Sequence, residues 1–398
     1  MSTFGQGSDW PRLSYEDRPW HGLQDEYVSR TQRRRAVGTY QAALSAFIAG
    51  LDVHVNGELQ ALGEEAASEL SRFDAEVGHI AAPFASILLR TESASSSEIE
   101  NLTSGARQIA LAELGGHASR NAQLIVGNVR AMQAALSLSE SLDHHAILEM
   151  HRALLEDSNP DIVGRWRDQQ VWIGGGNLSP HTAQFVPPHH ERVATLMDDL
   201  LEFANRVDVP VLVQTAIAHA QFETIHPFPD GNGRVGRALI QAMLRGTQLT
   251  RNVTVPVSAG LLNDTSHYFD ALNSYRSGDI APIVTAVANA CFAAIHNGRH
   301  LVKDLETVQK QWRERVKARR DSAAHLLVSV LLRQPVIDSA SAATELGITT
   351  VNAQVAINRL VEAEILVQIT NGNRNRIWVA KDVVRVLDEF AARAKRRR

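Results

Sequence analysis

Twelve consecutive residues gather most of the chemistry this sequence displays: His226-Pro227-Phe228-Pro229-Asp230-Gly231-Asn232-Gly233-Arg234-Val235-Gly236-Arg237. His226 offers an imidazole able to take a proton near neutral pH, as a general base must. Asp230 is a hard oxygen donor, suited to a Mg2+ ion that keeps most of its waters. Gly231 and Gly233 carry no Cβ, so their backbone N–H groups are open to the close approach of an anion. Arg234 and Arg237, at i and i+3, project from one face of a first helical turn. These residue types suit a polyphosphate with a proton transfer beside it.

The elements that must position them are legible on both sides. The apolar run from Ala238 to Leu244 reads as a helix, which puts the glycine turn at a helix N-terminus where the macrodipole favours phosphate. Upstream, Val211 to Thr224 is a small, apolar helix that delivers His226 and is ended by Pro227. Before it, Glu191 to Phe203 carries a buried stripe of Val193, Leu196, Met197, Leu200 and Leu201. Phe228 reads as the anchor of the loop and His219 as a packed helix histidine. No Gly-Lys-Ser/Thr follows the glycines, which excludes a Walker loop, and no strand precedes them, which excludes a dinucleotide fingerprint. Val171-Trp172-Ile173 and Ala183 to Val186 are short strand-type runs around glycines.

From His226 to Arg237 the sequence fits His-x-Phe-x-Asp/Glu-Gly-Asn-Gly-Arg-x-x-Arg at every defined position, and the chain resembles the Fic family. The resemblance implies a mainly α fold, a Fic-type helical bundle with a β-hairpin flap. It implies transfer of AMP from ATP, with Mg2+, to a Ser, Thr or Tyr hydroxyl of a protein. His226 would be the base and Asp230 the metal ligand. Gly231, Asn232 and Gly233 would brace the phosphates, with Arg234 on the β- and Arg237 on the γ-phosphate. The hairpin at 171–186 would be the flap that docks the target by strand addition. Tyr268 and Tyr275 are candidates for the adenine pocket or for the core. Ser96-x-x-x-Glu100-Asn101 fits the family's inhibitory helix, whose carboxylate, here Glu100, would pair with Arg237. Without the resemblance, the serine cluster at 93–97 is a helix cap.

The rest of the chain sets limits. With 44% hydrophobic residues, 398 residues can bury two or three cores, and a net charge of −4 gives no global pull toward nucleic acid or anionic membrane. A single cysteine, Cys291, excludes an internal disulfide, and no run is long enough to span a bilayer, so a cytoplasmic protein without membrane contact is expected. The expected domains are a polar arm at 1–37, a helical region with the inhibitory helix at 38–104, and the Fic core at 105–300. A charged helical connector at 301–322 and a winged helix-turn-helix module at 323–398 follow. In the module, the helix from Val351 carries Asn352, Gln354, Asn358 and Arg359, thin in positive charge, so DNA binding and protein contact both stay open, as does a homodimer. Two other functions compete. Glu-x-x-His at Glu223/His226 and Glu76/His79 has di-iron spacing, but no helices offer the two further carboxylates. A DNA-binding regulator that uses the core for self-modification or AMP removal is the second.

Overall fold

The computed structural model of the chain describes residues 10–21, 37–78, 82–176, 178–319, 321–372 and 375–396. Strands β1 (Ser14–Trp20) and β2 (Gly38–Leu44) pair antiparallel, Ser14 opposite Leu44. Helices α1 (Gly57–Gly78), α2 (Ala82–Ile99), α3 (Ala106–Glu113), α4 (Arg120–Ser137) and α5 (His144–Leu155) follow. After an irregular stretch come α6 (Val193–Ala204), α7 (Val211–Ile225), α8 (Asn232–Gly246), α9 (Val257–Leu262), α10 (Thr265–Arg276) and α11 (Ala281–Arg315). The C-terminal part runs α12 (Ala323–Arg333), β3 (Val336–Asp338), α13 (Ser339–Leu346), α14 (Thr350–Glu362), β4 (Val367–Gln368), β5 (Ile377–Val379) and α15 (Lys381–Ala394). The described residues are mainly helical, as expected, with two small sheets.

The chain forms two compact units, neither of them a single stretch of sequence. The first comprises 1–64, 134–246 and 266–287 and holds every residue of the His226 to Arg237 loop. Its centre is α7, buried on all sides from Leu212 to Ile225. Such a helix has no polar face to spare, which is why its sequence reads as a run of small and apolar residues. It packs against α6 and α8. Residues 14–20, expected within a polar arm, form β1, and 38–44, expected to be helical, form β2. Arg33 to Arg35 and His79 lie outside the described residues, as do Arg374 and Arg397-Arg398.

The expected hairpin at 171–186 is reduced to one antiparallel bridge, Ile173 with Phe185. Gly174 and Gly175 both take φ near +73°, and a Cβ on Gly175 would meet the Thr182 carbonyl oxygen at 2.5 Å. The chain therefore folds into a tight loop instead of extending two strands. Nor is this edge alone, because Ala43 of β2 donates its N–H to the Val186 carbonyl at 3.0 Å.

The second unit comprises 65–133, 247–265 and 288–398. In it the serine cluster lies inside α2 instead of capping a helix. Ser93 and Ser97 bond back to the carbonyls of Leu89 and Ser93, each at 2.9 Å, and the Asn128 amide reaches the Ser93 carbonyl at 2.8 Å. Hydroxyls are tolerated mid-helix when they return their proton to the preceding turn. Glu100 is exposed just past the end of α2, and Asn101 turns the chain with φ +61°. The C-terminal sheet has the order β3-β5-β4. Thr349 caps α14 by accepting from the Asn352 N–H. Neither β3 nor α15 was expected from the sequence.

The segment at 323–398 also docks on α2 and α3. The Arg90 guanidinium donates to Glu113 at 2.9 Å, to the Arg333 carbonyl at 2.6 Å and to Gln334 at 3.3 Å. Asp388 accepts the Ala106 N–H at 3.0 Å, and Lys395 pairs with Glu98 at 2.5 Å. The expected connector is likewise part of α11, one helix continuous from Ala281 to Arg315. No described helix is long and apolar enough to cross a membrane.

Candidate active site

His226 closes α7 in the left-handed conformation, φ +52° and ψ +61°. A β-unbranched residue pays a modest strain there, and the surroundings must hold it. They do so through Arg167, a residue that the sequence did not single out. Its Nε donates to the His226 carbonyl at 2.8 Å, and its Nη2 donates to the carbonyls of Pro188 and, at 3.3 Å, Ile225. Its backbone N–H donates to the Pro227 carbonyl at 2.9 Å. Burial pulls the guanidinium pKa down to about 10, which still leaves it charged at neutral pH. On the imidazole, Nδ1 lies 4.0 Å from the buried Glu223 carboxylate.

The loop after His226 is tied down from below. Phe228 is fully buried, and its ring stacks on His151 with centroids 3.8 Å apart and planes 3° from parallel. The His151 Nε2–H donates to the Asp230 carbonyl at 3.2 Å, so this imidazole is the neutral tautomer with the proton on Nε2. Desolvation lowers its pKa to about 4, which keeps it neutral. His151 also escaped the sequence reading, since a lone histidine on an amphipathic helix carries no signal of a partner 79 positions away.

Asn232 is held from within the loop. Its Oδ1 accepts the Phe228 N–H and its Nδ2 donates to the Phe228 carbonyl, both at 2.8 Å. The amide is thus committed to closing the loop, and its first task is bracing the turn. Gly231 sits at φ +84°, where a Cβ would run into Leu154 at 2.8 Å. Its N–H donates to Asp230 Oδ1 at 2.6 Å. The Asp230 carboxylate is 59% exposed and pairs with Arg234 at 3.4 Å. Gly233 follows in the first turn of α8, where N–H groups precede any intrahelical acceptor.

Arg234 and Arg237 are both buried, Arg237 to 1% exposure. Buried guanidiniums at a helix N-terminus concentrate positive potential in a low-dielectric wall. Part of that potential is felt by His219, whose pKa falls to about 3 through burial first and the Arg237 charge second. The neutral His219 donates from Nδ1 to the Gly236 carbonyl at 2.9 Å and accepts at Nε2 from the Tyr268 hydroxyl at 2.8 Å. Tyr275 donates to Gln221 at 2.8 Å. Both tyrosines are buried, with hydroxyls bonded to α7, so they belong to the core and present no open ring to an adenine. Gly236 lets the two helices meet, since a Cβ there would lie 2.7 Å from Glu223 Oε1.

A second cluster of donors, His189, His190 and Glu191, brings its ligand atoms within 4.8 Å of one another. Arg18 lies 3.3 Å from the Glu191 carboxylate, so a guanidinium already fills the cationic place. Glu223 and His226 lie in the first unit and Glu76 in the second, and nothing among the described residues assembles a di-iron site.

Comparison with known proteins agrees with this loop. The Fic/DOC family matches residues 141–244. The protein adenylyltransferase fic-1 of Caenorhabditis elegans is 31% identical over 152 residues, 37% of this chain and 27% of that protein. The protein adenylyltransferase Fic of Nematostella vectensis is 32% identical over 153 residues, 38% of this chain and 32% of that one. The chain thus spans about a third or less of the length of these curated relatives. Among solved structures, a Fic family protein from Desulfovibrio desulfuricans G20 aligns over 82% of this chain and 97% of its own, with a TM-score of 0.52 and 22% identity, a likeness of fold. The loop from His226 to Arg237, its helical setting and these matches place residues 141–244 of this chain in the Fic/DOC family.

Proposed function

We propose that the protein transfers AMP from ATP to a Ser, Thr or Tyr hydroxyl of a protein target. One observation carries the reading: a left-handed histidine, an exposed carboxylate and two buried arginines share one loop at a helix N-terminus. The names of the relatives, protein adenylyltransferases, support it. With Nδ1 on the Glu223 side, Nε2 of His226 takes the hydroxyl proton. The oxygen then bonds to the α-phosphorus as the bond to the bridging oxygen breaks, and pyrophosphate leaves. Arg234 and Arg237 hold the outer phosphates, and the loop contributes mainly positioning and charge stabilisation. The exposed Asp230 carboxylate would hold a magnesium ion. Bound there, it would supply positive charge to offset that of the phosphates. The target docks along 171–186.

We infer that Glu100, at the end of the helix that fits the family's inhibitory pattern, restrains this transfer. For the C-terminal segment, the order α12, β3, α13, α14, β4, β5 supports a winged helix. The exposed face of α14, with Val351 at 71% and Val355 at 47%, favours a protein contact over DNA there. The single buried cysteine suits a cytoplasmic setting.

The test is transfer of label from α-32P-ATP with magnesium, to the protein itself or to lysate proteins. His226→Ala is expected to lose the label and keep ATP binding, because the imidazole acts on the hydroxyl. Absence of label with both the unmutated protein and Glu100→Gly refutes the reading.

A further inference from the structure

The Arg167 guanidinium touches more than the base. Besides the carbonyls of Ile225 and His226, its Nη1 donates to the Gln169 carbonyl at 3.0 Å, and its Nη2 donates to the Pro188 carbonyl. Gln169 and Pro188 bracket the 171–186 loop: one precedes its first strand-type run, the other follows its last. Gln170 adds a second tie across the same root, its Nε2 donating to the Pro187 carbonyl at 3.0 Å while its Oε1 accepts from Tyr40 at 3.0 Å. A single planar fork therefore joins both roots of the loop to the backbone of His226.

We propose that Arg167 is a positioning residue that sets the distance between the substrate-docking loop and the catalytic imidazole. The proposal rests on the adenylyl-transfer reading of the same site. A guanidinium suits the task for a chemical reason: it presents five N–H donors in a fixed plane, so several carbonyls are held in one mutual arrangement. A lysine in its place keeps the charge, yet its ammonium sits on a freely turning stem and cannot impose that plane. The fork is 3% exposed, so water cannot take over the carbonyls without opening the loop. Arg167 makes none of its hydrogen bonds to Asp230, Arg234 or Arg237, which separates it from the nucleotide residues.

This division makes the effect specific. Misplacing the base or the target by an ångström slows a proton transfer that depends on in-line geometry, on the order of 100-fold. Binding of the nucleotide is set elsewhere and is expected to stay within about 2-fold. The experiment compares unmutated protein, Arg167→Lys and Arg167→Met, each full length and each in a Glu100→Gly background. Hydrogen exchange of the free proteins comes first, since it needs no activity. Both variants are expected to lose protection at 169–173, at 185–186 and 189–190, and at 225–228 together, with α6 and the core of α7 unchanged. Label transfer is then expected to fall about 100-fold in kcat at nearly constant KM for ATP. Unchanged exchange at either loop root overturns the proposal, as does a loss that appears in KM for ATP alone. If the Glu100→Gly protein transfers no label but exchange changes as stated, the adenylyl-transfer reading fails and the link between the segments stands.

Discussion

Replacing Asn232 by alanine separates loop bracing from phosphate contact. The side chain makes two hydrogen bonds to the Phe228 main chain, each at 2.8 Å, in a place where both residues are buried. Alanine removes both partners at once and leaves an N–H and a carbonyl in the interior. Each net bond is worth about 1 kcal/mol and each orphaned polar group costs about 1–3 kcal/mol, so after partial relaxation the loss is roughly 2–4 kcal/mol. Domains of about 150–250 residues lose about 2–4 °C of Tm per kcal/mol, which gives a fall of roughly 5–15 °C. Scanning calorimetry of the nucleotide-free protein reads it directly. Asn232→Asp sharpens the result: the carboxylate can still accept the Phe228 N–H but now faces the Phe228 carbonyl with an oxygen, so it should be no more stable than alanine. A Tm for Asn232→Ala within 1–2 °C of the unmutated value, on the same scale of about 2–4 °C per kcal/mol, would refute the bracing role and return the amide to the phosphates.

Other consequences follow from the same geometry. Asp230→Ala should lose most magnesium-dependent label transfer, with only partial rescue by excess metal; activity in EDTA equal to that of the unmutated protein would contradict the assignment. Glu100→Gly should raise transfer, while Glu98→Gly, which breaks the pair with Lys395, should not, and equal gains would dissolve the inhibitory assignment. His151 has its pKa lowered to about 4 from an ordinary value of 6.5. The unfolded chain therefore binds a proton that the folded one refuses, and stability should fall as pH drops from about 6.5 toward 4, by about 3 kcal/mol in all. His151→Phe, which keeps a ring on Phe228, should flatten that slope in urea unfolding measured at several pH values. Deleting residues from Ala323 onward should expose the surfaces of α2 and α3 and lower solubility, since Arg90 and Ala106 lose their partners. A monomeric truncation with unchanged melting would show that the docking adds nothing.

The motif was legible because its chemistry is contiguous: base, carboxylate, glycines and arginines occupy one loop between two helices with clear periodicity. Arg167 and His151 were not, because each acts on carbonyls of that loop from 59 and 79 positions away, and an arginine or histidine alone announces no partner. The stretch Thr39 to Leu44 resembles a helix since alanines and leucines fit either period; its strand conformation is decided by the pairing with residues 14–20. The boundary expected at 300/301, between the core and the connector, lies two residues after Gly298. There the glycine serves packing instead, for a Cβ would lie 2.9 Å from the Phe73 ring, and the helix runs on. Glycine marks an end only when the backbone needs it.

The docking of the C-terminal segment on α2 also has a meaning in time. Arg90 and its acceptor, the Arg333 carbonyl, are 243 residues apart. At synthesis rates of about 5–20 residues per second, α2 waits roughly 12–50 s on the ribosome before its partners emerge. Residues 141–244 leave the tunnel well within that interval. Each new molecule thus passes through a window in which residues 141–244 have emerged while the surfaces of α2 and α3 that receive Arg333 and Asp388 stay uncovered. The faces of α2 and α3 that receive the C-terminal segment are therefore the last to be buried.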